Sequence, residues 1–153
     1  RLLSSVNRML VHDLPNDRYV TLLLVCLDAK NNSLTYASAG HIPAFLMSDS
    51  GEIDFTLESS GVPLGLFAEA QFVTATVPTR HHQTLILLTD GITEATAQKE
   101  DVQFGSQRAL EYVRVHQLKS ARELADGICA AAREFATGQG QFDDLTNVVV
   151  KVA

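Results

Sequence analysis

The chain has 153 residues, 46% of them hydrophobic and 20% charged, a composition that suits one globular domain large enough to bury a core. Twelve Lys and Arg against eighteen Asp and Glu give a formal net charge of −6, and no basic cluster is present, which excludes a nucleic-acid binder. No apolar run approaches the length of a membrane span, no signal-peptide pattern opens the chain, and Cys26 and Cys129 read as free, buried thiols of a cytoplasmic protein. Residues 1–10 are already helical in pattern, with apolar residues at positions 2, 3, 6, 9, 10 and 14, and they lack an initiator Met and an N-cap. This predicts a chain that starts inside a helix, with an N-terminal portion outside the sequence. Asp13-Leu14-Pro15-Asn16-Asp17 stops that helix.

Tyr19 to Asp28 is apolar on both faces and predicts a central strand. Lys30-Asn31-Asn32-Ser33 turns it into an antiparallel partner, Leu34 to Ala39. Ala39-Gly40-His41-Ile42-Pro43 breaks the pattern, Ala44 to Met47 resumes it, and Ser48-Asp49-Ser50-Gly51 turns again. After the loop Gly61-Val62-Pro63-Leu64-Gly65-Leu66, a strand is expected over Gln71 to Val77, then an exposed turn at Pro78-Thr79-Arg80-His81-His82. Thr84 to Thr89 follows as a strand buried on both faces, because Leu85-Ile86-Leu87-Leu88 has no polar alternation and is short for a helix. A helix is read from Ser106 to about His116. A second opens on the capping box Ser120-Ala121-Arg122-Glu123, runs on the stripe Leu124, Ile128, Ala131 and Phe135, and ends at Gly138 and Gly140. Asn147 to Val152 closes the chain as a strand. The order of elements predicts an α+β fold with antiparallel sheets and helices on outer faces.

Two acidic places draw chemical interest. Asp90 follows one buried strand, with Gly91 expected to free the backbone for a sharp turn, while Asp143 and Asp144 precede another strand. Each alone is as well explained by a turn. If the two strands are antiparallel neighbours, however, the carboxylates meet on one rim of the sheet, where like charges call for a cation. Oxygen-only donors favour Mg²⁺ or Mn²⁺ over Zn²⁺.

Thr89-Asp90-Gly91-Ile92-Thr93-Glu94-Ala95 together with Phe142-Asp143-Asp144-Leu145-Thr146 resembles the metal-dependent type 2C (PPM) protein phosphatases, in their bacterial SpoIIE/RsbU branch. The resemblance continues through Tyr19-Val20-Thr21-Leu22, Tyr36-Ala37-Ser38-Ala39-Gly40-His41-Ile42-Pro43 and Gly61-Val62-Pro63-Leu64-Gly65, in order along nearly the whole chain. It implies a β-sandwich flanked by helices and a site for two Mn²⁺ or Mg²⁺ ions, at which water attacks a phosphoserine or phosphothreonine while the ions offset the developing charge. By position, Asp90 and Asp143 match metal-binding, catalytic aspartates. Asp144 matches an auxiliary ligand, and Gly91 turns the chain beside the ion. The substrate implied is a phosphorylated anti-sigma factor antagonist of STAS type in a partner-switching stress response, with a sensory or receiver module in the parent chain.

The sequence departs from this family in one respect: the acidic motifs of the family's first two strands are absent. About half of the metal ligands are therefore expected here, with an inactive fragment and an active parent. The rival readings are an inactive docking module of the same fold and a phosphohydrolase acting on a small molecule. His41 could approach the site, although bracing its turn is the expected role. Thr93 and Glu94 are read as capping the turn after the site, and nothing in the sequence brings Arg80 to the rim. Leu2, Leu3 and Val6 are read as part of a homodimer surface.

Overall fold

The computed structural model describes residues 1–15, 17–97, 102–136 and 144–153. In chain order the elements are α1 (Leu2–Asp13), β1 (Leu22–Asp28), β2 (Ser33–Ala39), β3 (Ala44–Met47), β4 (Ile53–Leu57), β5 (Ala75–Pro78), β6 (Thr84–Leu88), α2 (Asp90–Thr93), α3 (Gly105–Val115), α4 (Ala121–Phe135) and β7 (Asn147–Lys151). Antiparallel sheets combined with helices give the expected α+β class. The chain divides into two compact units, Arg1–Pro43 with Leu57–Arg80 and Ala44–Thr56 with His81–Ala153.

The first unit holds a three-stranded sheet in the order β1-β2-β5. Its hairpin is set locally. The Asp28 carboxylate accepts the amides of Lys30 and Asn31 at 3.0 and 3.1 Å, and Asn32 takes a left-handed φ of 47°. The side chain of Asn31, and then its amide, hold the Asp28 carboxyl below the usual carboxylate range. Against expectation, among the described residues β1 pairs with β2 alone, at the edge of the sheet, and β2 is central. Apolarity on both faces does not tell an edge from a centre; the pairing does. Leu24 and Leu27 are consequently 42% and 43% exposed, and Cys26 is an exposed thiol rather than a buried one, while Cys129 is half-buried. The strand expected over Gln71 to Val77 is shorter, because β5 pairs with β2 only as far as Tyr36↔Ala75, and Phe72 turns instead to the core.

That core joins Leu3 to Ala37, Ala39 and Leu64, with Val6, Leu10, Leu22 and Phe72 packed around them. Leu3 and Val6 thus face the core rather than the homodimer surface read for them, and only Leu2 of the three is exposed. Asn7, on the inward face of α1, is fully buried. It donates to the Phe67 carbonyl at 2.8 Å and accepts the Gly65 amide at 2.9 Å, which ties the glycine-punctuated loop to the helix. A buried amide is tolerated here because both of its ends are bonded.

The second unit holds a four-stranded sheet in the order β4-β3-β6-β7. Strand β4 was not anticipated, although Ile53-Asp54-Phe55-Thr56-Leu57 alternates as a half-buried strand should. Strand β6 lies between β3 and β7, with Phe45↔Ile86 on one side and Leu85↔Val150 on the other. Leu85, Ile86 and Leu88 are at most 1% exposed, which explains the unbroken apolar run; each such side chain contributes about 1.5–3 kcal/mol of burial. Helices α3 and α4 bury Ala109, Val113, Leu124, Ile128 and Ala132, and the Phe104 ring meets Phe135 edge-on at 5.6 Å. The apolar stripe of α4 thus centres on Ala132 rather than Ala131. The glycines expected to end this helix, Gly138 and Gly140, lie outside the described residues, and α4 closes at Phe135.

The capping box is present as read. The Ser120 hydroxyl accepts the Glu123 amide at 3.3 Å, and Glu123 Oε2 accepts the Ser120 amide at 2.9 Å. The Ser120 hydroxyl and then its amide hold the Glu123 carboxyl below the usual carboxylate range. A lowered folded-state pKa means stability that is present above the unfolded value and lost as pH falls through the folded one. Ser120→Ala is expected to cost about 1 kcal/mol in urea unfolding at neutral pH. The gap to the unsubstituted protein should narrow below the carboxylate range, once Glu123 is protonated; a gap that widened there would contradict this reading.

Candidate functional site

The candidate site is built where β6 ends and β7 begins. The register carries Leu88↔Asn147 as its last pair, and Thr89 extends it by one step. The Thr89 amide donates to the Thr146 carbonyl at 3.0 Å, and its hydroxyl donates to the same oxygen at 3.1 Å. The Thr146 amide in turn donates to Thr89 Oγ1 at 3.3 Å, and the Asp144 carbonyl lies 3.5 Å from that hydroxyl. Strands β6 and β7 are therefore antiparallel neighbours, the condition on which the meeting of their acidic ends depended. Asp90 follows Thr89 and Asp144 comes two residues before Thr146, so both stand at the same end of the bridged strands, one on each, and both are exposed. Asp143 lies outside the described residues.

Asp90 opens α2, with Thr89 extended at its N-cap (φ −99°, ψ 163°). Asp90 Oδ1 accepts the Gly91 amide at 2.9 Å, which fixes one oxygen of the carboxylate. Gly91 does not make the sharp turn expected of it. It is buried within the helical turn, and among the described residues the positive-φ glycines are Gly40, Gly51, Gly65 and Gly105. The change of direction comes from the switch out of extended backbone at Thr89 into helix at Asp90. Thr93 and Glu94 close that turn: the Thr93 hydroxyl and the Glu94 amide both donate to the Asp90 carbonyl, at 3.4 and 2.7 Å.

Among the described residues, no three His, Cys, Asp or Glu side chains gather into an ion-holding cluster. What the rim offers is an oxygen-only donor set, Asp90 and Asp144, exposed to solvent at the outer end of one hydrogen-bonded bridge. That chemistry fits part of a site for a hard divalent ion and falls short of a full coordination sphere.

His41 belongs to the first unit, half-buried, with Nδ1 donating to the Ile42 carbonyl at 2.8 Å, a contact that braces its own turn. His81 and His82 form an exposed turn, with His82 at φ 68°. Two residues escaped the sequence reading. Thr89 has no role that its motif alone discloses, although a threonine accompanies each acidic motif. Asn147 heads the apolar run Val148-Val149-Val150, and a polar residue at that point was the available signal.

Compared with known families, the chain matches Stage II sporulation protein E (SpoIIE) over residues 1–153. It is 30% identical over 132 residues to Protein IcfG of Synechocystis sp., covering 86% of this chain and 20% of that protein. It is 23% identical over 151 residues to Phosphoserine phosphatase RsbU of Bacillus subtilis, covering 99% of this chain and 44% of that protein. The chain thus spans less than half the length of either relative. Among solved structures it is similar to the phosphatase domain of the cell fate determinant SpoIIE from Bacillus subtilis, Mn presoaked. The TM-score is 0.71 at 22% identity, covering 98% of this chain and 63% of that one, a likeness of fold. No helix among the described residues is long and apolar enough to cross a membrane.

Proposed function

The chain belongs to the SpoIIE family, and on that footing we propose that it carries part of the active site of a metal-dependent protein serine/threonine phosphatase, with Asp90, Asp143 and Asp144 as metal-site carboxylates. One observation carries the reading: the β6–β7 register and the Thr89–Thr146 bridge bring Asp90 and Asp144 to one rim of the four-stranded sheet. Further support comes from a relative named as a phosphoserine phosphatase and a solved relative soaked with Mn.

In this reading Asp90 is oriented by the Gly91 amide on Oδ1, so that its other oxygen is the one offered to an ion. Thr89 holds the two strand ends in register, and with them the spacing of the carboxylates. Two Mn²⁺ or Mg²⁺ ions bound there would supply charge stabilisation for phosphoryl transfer to water. The substrate class is a phosphoserine or phosphothreonine on a protein, and specifically a STAS-type anti-sigma factor antagonist in a partner-switching pathway.

The test is phosphate release by the full gene product with Mn²⁺ or Mg²⁺, given a phosphorylated STAS-type protein or a nucleoside triphosphate. Turnover of the phosphoprotein in preference to the nucleotide is expected. Preference for the nucleotide would make it a small-molecule phosphohydrolase, and turnover of neither would make it a docking module.

A further inference from the structure

The start of β7 is gripped from a second side, by α4. Asn147 donates through Nδ2 to the Ala125 carbonyl at 3.0 Å and to Cys129 Sγ at 3.1 Å. Ala125 and Cys129 are four residues apart on α4, so one face of the helix presents both acceptors. The Cys129 thiol donates onward to the Leu145 carbonyl at 3.8 Å, a sulfur serving as weak donor and weak acceptor at once. Residues 145 to 147 are thereby fastened to α4 by Leu145 and Asn147, and to the end of β6 by Thr146. Asp144 is the next residue back.

The arrangement carries a cost that strand formation does not require. Asn147 Oδ1 is buried without a hydrogen-bond partner among the described residues, and an unpaired buried carbonyl destabilises the fold. Asparagine is also a poor strand former, at the head of a run that continues Val148-Val149-Val150. A valine there would suit the strand better. What the asparagine supplies, and a valine cannot, is the pair of donated bonds to α4.

We propose that Asn147 is a positioning residue, whose amide clamps the residues that follow Asp144 to α4 and so fixes Asp144 beside Thr89, at the strand end that carries Asp90. As a statement about metal binding this rests on the function proposed above; as a statement about local order it does not. The test is Asn147→Val in the full gene product, with Cys129→Ala as a milder second variant that removes one acceptor. Three quantities are read: Tm, the Kd for Mn²⁺ by calorimetry, and amide hydrogen exchange by NMR. Asn147→Val should keep or raise Tm, yet weaken Mn²⁺ binding by about tenfold or more, the range typical of groups that orient metal ligands. Exchange at the Thr89 and Thr146 amides should quicken by a similar factor, with Val149 to Lys151 unchanged. Cys129→Ala should move the same quantities less. Wild-type exchange at Thr89 and Thr146 in both variants would overturn the proposal, and so would changes that merely follow a fall in Tm. Asp90→Ala separates the two readings. If Asp90→Ala binds Mn²⁺ as the unsubstituted protein does, the metal reading fails, and the exchange data alone decide the clamp.

Discussion

Asp90→Ala is expected to abolish ion-dependent phosphatase activity in the full gene product, by at least about 100-fold in kcat/KM, since removing a metal ligand should cost no less than removing a group that orients one. Stability should barely change. Asp90 is exposed, and its side chain is bonded to the amide of the next residue, so a shift within about 0.5 kcal/mol is expected. The combination is what distinguishes a ligand from a structural turn residue. Phosphate release with Mn²⁺ and urea unfolding of the same preparation check it. Loss of activity accompanied by loss of fold would point to the turn, and full activity would remove Asp90 from the site.

Gly40→Ala should instead cost the fold. Gly40 sits at φ +67°, and a Cβ there would lie 2.4 Å from Pro63 Cγ and 2.7 Å from the Pro63 backbone nitrogen. Neither can yield, because the proline ring is short and rigid and its loop is pinned: the Gly40 amide donates to the Gly61 carbonyl at 2.9 Å and to Ser59 Oγ at 2.9 Å. The left-handed backbone costs an alanine about 1–2 kcal/mol, and overpacking adds about 1–3 kcal/mol. Urea unfolding should therefore show a loss of about 2–5 kcal/mol, the sum of those two ranges. A substitution tolerated within about 0.5 kcal/mol would contradict the close approach. Through this contact the motifs Ala39-Gly40-His41-Ile42-Pro43 and Gly61-Val62-Pro63-Leu64-Gly65 meet, which gives both glycine-proline motifs a structural reason to occur.

What the sequence disclosed depended on the range of each interaction. The Asp28–Ser33 hairpin, the capping box at Ser120 and the buried run of β6 are decided by neighbours in the chain, and all three are where they were read. Asp90 and Asp144 could be paired across 54 positions because each adjoins a strand, and antiparallel neighbours bring end to start. The misreadings arose where tertiary pairing decides. Leu22–Asp28 has the apolarity of a central strand, yet among the described residues it pairs with β2 alone, and Cys26 is exposed as a result. Asn7, to which the helical pattern assigns nothing, is the buried residue that holds Gly65 and Phe67. Gly91 was assigned a turn by composition, and the backbone shows a helical residue. Asn147 carries no local signal beyond its polarity; only the position of α4 reveals what it binds.

The central claim is that the rim shared by β6 and β7 holds a divalent ion through Asp90. Calorimetric titration of Mn²⁺ into the full gene product and into its Asp90→Ala variant tests this most directly. The account predicts saturable binding by the former and at least about a 100-fold rise in Kd for the latter, at equal Tm in the absence of metal. Equal affinities in the two proteins, or no binding by either, would contradict it.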